Sequence, residues 1–247
     1  MLGMGTLTRK QREIQQREAL LLDVARSMLM EHGFAGLSMD RLAEATEYSK
    51  GTIYQHFSTK EDLVAALAVQ SVKYRAELFD RASAFPGRPR ERMYAIGVAD
   101  ELFARLHPQY YHSEMVIRLA ALQSRVDAER CKHLCGHDST CMSRVREIVD
   151  AAVIAGDLTL QSPRTAEKVS FAVFAVALGT HLGIHNYGAM FDPAELGPPS
   201  SLMRDSVEIL LDGFGWHPLS TEWDYSQTYR RLVQGVFADE QRRLEVK

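Results

Sequence analysis

Three short bursts of apolar residues at helical spacing lie between residues 38 and 68, each preceded by a small hydroxyl residue. Ser38 can cap the first, with Leu42 inward and Asp40 and Glu44 on the solvent side. The chain then turns at Glu47-Tyr48. Ser49 can cap the second, which turns Ile53 and Phe57 inward and presents Lys50, Thr52 and Gln55 outward. Ser58-Thr59 opens the third, with Glu61 and Asp62 in its first turn and Leu63 and Leu67 on one face. Upstream, Leu21, Leu22, Ala25, Met28 and Leu29 form one stripe. Gly33 is expected to end that helix and Phe34 to plug a small core.

Downstream, the pattern predicts one helix from residue 60 to about 84, broken by Phe85-Pro86-Gly87. Further helices are expected over 90–106, 109–125, 144–155, 165–187, 200–214 and 221–244. The 165–187 segment is apolar around its full circumference near Phe171–Leu178, so it needs cover on every side. One side is assigned to the core and the other to a second subunit. No stretch keeps a period of two, so the expected fold is all-α: a three-helix N-terminal domain joined by a long helix to a larger helical body. The boundary is placed at 60/61, giving 1–60 and 61–247.

A tight turn between two short helices, the second with a polar outward face, makes a helix-turn-helix, the device that lays one helix in the DNA major groove. Composition does not oppose this. Across 247 residues the net charge is −3, but a reading head needs only a local positive surface. Arg9, Lys10 and Arg12 supply one beside the first helix. No signal peptide is visible and the apolar run 171–179 is short for a bilayer, so a cytoplasmic protein without a membrane partner is expected.

Residues 17–68, through ALLLDVARSMLMEHGFAGLSM and SKGTIYQHFSTKEDL, resemble the N-terminal domain of TetR-family bacterial transcription regulators. The resemblance implies a homodimer binding pseudo-palindromic operator DNA, and a body that binds a small-molecule effector. It implies DNA contacts from Ser38, Ser49, Lys50, Gly51, Thr52, Tyr54, His56 and Lys60. The chain departs from the family at Glu47, where a left-handed turn favours glycine. Helices that surround the family's ligand cavity carry Met93, Phe103, Tyr110, Tyr111, Met115, Phe174, His181, His185 and Tyr187, a set that suits a largely apolar effector.

All three cysteines fall in CKHLCGHDSTC, with His133 and His137. An odd count argues against a disulfide framework. If Gly136 bends the chain back, Cys131, Cys135, Cys141 and His137 could hold zinc, though no cofactor is required. Buried thiols at a helix junction are the plainer account of the pattern. The resulting expectation is a non-enzymatic regulator, a repressor released from its operator by ligand. The alternatives are a metal- or redox-responsive regulator using the cysteine cluster, or a metalloenzyme.

Overall fold

The computed structural model of the chain describes residues 8–108, 110, 114–116, 125–185 and 191–246, and the regular elements among them are all α-helices. They are α1 Arg9–Gly36, α2 Met39–Thr46, α3 Lys50–His56, α4 Lys60–Ser83, α5 Pro89–Leu106, α6 Ala128–Ala155, α7 Ala166–His185, α8 Pro193–Leu196, α9 Pro199–Gly213, α10 Tyr225–Gln234 and α11 Ala238–Glu245. Two compact units form. One comprises Met1–Val72 with Pro108–Gly136, the other Lys73–His107 with His137–Lys247.

This division differs from a boundary at residue 60. The first half of α4 completes the core of the first unit, where Leu63 and Leu67 are fully buried with Leu21, Leu42, Ile53 and Phe57. Asp62, 1% exposed, then draws in the start of α6 by accepting the backbone N–H of Asp127. The chain enters α1 through a capping box between Thr8 and Gln11. At Gly33 (φ 64°) the helix breaks, a conformation glycine adopts without steric cost, and one more turn carries the chain to Gly36. Phe34 is half-buried beneath the Lys60 ammonium, 4.2 Å from its ring centre.

In the second unit α5 is the buried centre: Met93, Ile96, Leu102 and Phe103 are all at most 3% exposed. Helix α9 packs on both α5 and α7, using Met203, Val207 and Leu211. The single helix expected over 221–244 is two. Gly235 breaks it, and Phe237 turns fully into the core between α10 and α11. Their partner surface, not readable in the sequence, is α5: Thr228 and Arg231 donate to the Glu91 carboxylate at 3.0 and 3.1 Å. Arg81 of α4 likewise pairs with Glu240 of α11 at 2.8 Å.

Helix α6 also differs from expectation. It begins at Ala128 rather than near residue 144, and Gly136 lies inside it instead of bending the chain. The carboxylate of Asp127 accepts the N–H groups of Glu129 and Arg130, which satisfies the orphan donors of an early helix start. The expected helix over 109–125 falls largely outside the described residues. Finally, Ala166–Ile184 is long and apolar enough to cross a membrane by length and composition, although its continuous apolar run had looked short in the sequence. In the fold α9 packs along it, and Val169, Ser170 and Val173 are buried.

Candidate nucleic-acid interface

The helix-turn-helix is built by caps. Ser38 Oγ accepts the N–H of Arg41 and opens α2; Ser49 Oγ accepts the N–H of Thr52 and opens α3, each at 3.1 Å. Between them Glu47 takes the left-handed conformation (φ 57°, ψ 20°), the only non-glycine residue with positive φ among those described. The departure from glycine therefore leaves the turn's geometry in place, at a local steric cost. Burial of Ile53 and Phe57 fixes which side of α3 faces out.

That outward side carries Lys50, Gly51, Tyr54 and Gln55, with Thr52 half-buried. Tyr54 is 52% exposed, which a lone phenol on a small domain does not require for packing. Lys50 is exposed too, and its Nζ lies 2.8 Å from the Asp40 carboxylate of α2. The hydrogen bond to Asp40 and its negative charge raise the Lys50 pKa, so the side chain stays cationic. Gly51 has open space around it, its nearest neighbour being Ser49 Oγ, so backbone can approach a phosphate there. Arg9, Lys10 and Arg12 are exposed at the start of α1.

Two expected contacts sit elsewhere. The His56 side chain is 6% exposed and turned towards Glu18, its Nδ1 3.6 Å from a carboxylate oxygen. Lys60 donates from Nζ to the Phe34 carbonyl at 3.0 Å. Both serve the inside of the domain in this arrangement. Ser38 and Ser49 spend their hydroxyls on caps.

The sequence reading missed what holds the far end of α3. Arg130, from the first turn of α6, donates to the His56 carbonyl at 2.9 Å and to Asp62 at 2.5 Å, and lies 5.0 Å from the Phe57 ring centre. Thr59 donates to the Arg125 carbonyl at 2.9 Å, and Arg125 pairs with Glu61 at 3.1 Å. Burial alone would push the Asp62 carboxyl up. Hydrogen bonds from Arg130 and from the backbone of Ser58 and Asp127 outweigh it and hold the group below the usual carboxylate range. No local pattern signals such a clasp, because its partners are 68 residues apart in sequence.

The effector residues do not gather in one unit. Tyr110 and Met115 belong to the first, with Arg26 4.3 Å from the Tyr110 ring centre and Met115 buried. Met93, Phe103, Phe174 and His181 belong to the second. Tyr111, Tyr187 and the side chain of His185 lie outside the described residues. Inside the second unit, His181 Nε2 sits 2.8 Å from buried Asp100, and Arg75 lies 3.9 Å from the same carboxylate. Burial pushes Asp100 up, but His181 and Arg75 hold it below the ordinary range. Phe174 is instead 37% exposed, next to Phe171 at 66%.

The zinc set does not assemble. On one continuous helix Cys131 and Cys135 stack on successive turns, while Cys141 is about 15 Å further along the axis than Cys131. Among the described residues no group of three or more His, Cys, Asp or Glu is placed to hold a metal ion.

Known proteins resemble the chain in two ways. Residues 21–67 match the family model of bacterial regulatory proteins, tetR family. The HTH-type transcriptional repressor AcnR of Corynebacterium diphtheriae is 39% identical over 66 residues, 27% of this chain and 35% of that protein. The transcriptional regulator UidR of Escherichia coli is 27% identical over 112 residues, 45% of this chain and 54% of UidR. The chain thus spans about a third to a half of the length of these curated relatives. In fold the likeness is longer. The transcriptional regulator FadR of Bacillus subtilis, solved in complex with stearoyl-CoA, superposes with TM-score 0.59 at 15% identity, covering 79% of this chain and 98% of FadR.

Proposed function

We propose that this chain, a TetR-family protein whose regulatory-domain match spans residues 21–67, represses transcription by binding operator DNA as a homodimer. The observation that carries the reading is α3 itself. Its apolar side is fully buried, its cap and the turn at Glu47 set its direction against α2, and its open side presents Lys50, Gly51, Tyr54 and Gln55. Lys50 and Tyr54 contact DNA, Gly51 admits a phosphate to the backbone, and Arg9, Lys10 and Arg12 add sequence-independent attraction.

Phe171, Phe174 and Ile209, exposed on α7 and α9, support a two-fold interface made by these helices. A largely apolar small molecule bound in the body releases the operator. It does so only by preferring the dimer state that binds DNA less well, so DNA weakens ligand binding by the same factor. The stearoyl chain of the stearoyl-CoA bound to FadR supports an apolar ligand portion by analogy of fold, although its coenzyme A part is charged. The protein works in the cytoplasm as a regulator, not an enzyme. The test compares the parent with a Lys50→Ala/Tyr54→Ala double variant. The reading requires the variant to keep its helical content and lose specific operator binding; retained affinity would refute it.

A further inference from the structure

The thiols of Cys131 and Cys135 take no part in the DNA-facing surface. Both belong to the first unit and lie on consecutive turns at the start of α6, Cys131 half-buried and Cys135 exposed. Side chains four residues apart on a helix stand one above the other, with Cβ atoms about 5–6 Å apart. A disulfide requires about 3.5–4.5 Å between them, so it cannot form without unwinding the turn. A single large atom bonded to both sulfurs lengthens the bridge and fits the turn as it stands. Zinc would want four ligands, and no third one is placed nearby among the described residues.

Burial, and the negative influence of Cys135, Asp127 and Asp62, push the Cys131 thiol up. The thiolate is the reactive form towards any thiophilic centre, so capture at this pair slows as pH falls.

We propose that Cys131 and Cys135 form a two-thiolate site for a trivalent arsenical, on the helical turn that follows Arg130. In the reaction two S–H bonds and the arsenic–oxygen bonding break, and two arsenic–sulfur bonds form. Both protons leave with the oxygen as water, and no oxidation state changes. The adduct staples the first turns of α6. Arg130, one residue before Cys131, reaches from that turn to Asp62 and the His56 carbonyl, so the staple stabilises the clasp on α3.

The test needs no DNA, so it stands or falls apart from the regulatory reading. The full chain, and Cys131→Ser, Cys135→Ser and Cys141→Ser variants, are each treated with one equivalent of phenylarsine oxide. The parent and Cys141→Ser are expected to retain one phenylarsenic group through a monothiol wash, read by intact mass. Cys131→Ser and Cys135→Ser lose it. The melting transition of the treated parent rises by about 2–4 °C, and that of Cys135→Ser does not move. No retained adduct in the parent, retention by Cys135→Ser, or an adduct that leaves the melt unchanged would each overturn the site.

Discussion

Lys50 at the start of α3 and Asp40 in the first turn of α2 form an ion pair of 2.8 Å on the face proposed to meet DNA. Both side chains are more than 60% exposed, so the pair adds little to stability. Its consequence is for binding: a carboxylate beside a DNA-contacting lysine repels phosphate and offsets the lysine's charge. Asp40→Asn should therefore tighten binding to random-sequence duplex and steepen its salt dependence by about one unit of slope. The ratio of operator to random-sequence affinity should fall. Affinity titrations across a salt series measure both, and unchanged slope and affinity would remove Asp40 from DNA discrimination.

The clasp on the far end of α3 has a pH signature. Asp62 titrates below its unfolded value, so the folded state binds this proton less readily than the unfolded chain. Its contribution is fully present above about pH 5 and is lost as pH falls through the unfolded value of about 3.9 towards the lower folded one. Arg130→Met removes the largest hydrogen bond that lowers it. Denaturant melts should show the variant destabilised at pH 7, with the difference from the parent shrinking at pH 3. A constant difference would mean that Arg130 acts through packing alone.

Subunit association should be broken from the exposed side of α7 and α9. Phe171 and Ile209 are 66% and 73% exposed in the protomer, so Asp at either leaves the fold intact while burying an unpaired charge in the interface. Val173 and Val207, on the same two helices, are 6% and 2% exposed; Asp there would unfold the protomer instead. Sedimentation should find Phe171→Asp/Ile209→Asp folded and monomeric. A folded dimer would move the interface elsewhere.

Glu47 offers a stability test of the turn. A non-glycine residue in the left-handed region costs on the order of 1 kcal/mol, which glycine avoids against some loss of chain entropy. Glu47→Gly should raise the melting temperature by roughly 1–3 °C with the helix-turn-helix unchanged. A fall would show that the Glu47 side chain stabilises the turn.

The local rules carried the sequence far. Ser38 and Ser49 cap the helices they precede, Gly33 breaks α1, and Ile53, Phe57, Leu63 and Leu67 are the core residues their spacing marks. What stayed illegible depends on partners distant in the chain. His56 and Lys60 look like surface residues of a polar motif, yet Glu18 and the Phe34 carbonyl draw them inward. Gly136 reads as a breaker, but helical neighbours on both sides carry α6 through it. Gly235 does break the chain, because Phe237 finds a buried site against Arg81 and the core. The Arg130 clasp joins residues with no shared motif, and only the fold brings them together.

The most direct measurement is selection of binding sequences from random duplex by the purified chain, with the Lys50→Ala/Tyr54→Ala variant alongside. The account predicts that the parent enriches an inverted repeat whose half-site centres lie about 34–36 Å apart, or a multiple of that, while the variant enriches nothing. Failure of the parent to enrich any sequence, or the same repeat emerging with the variant, would contradict it.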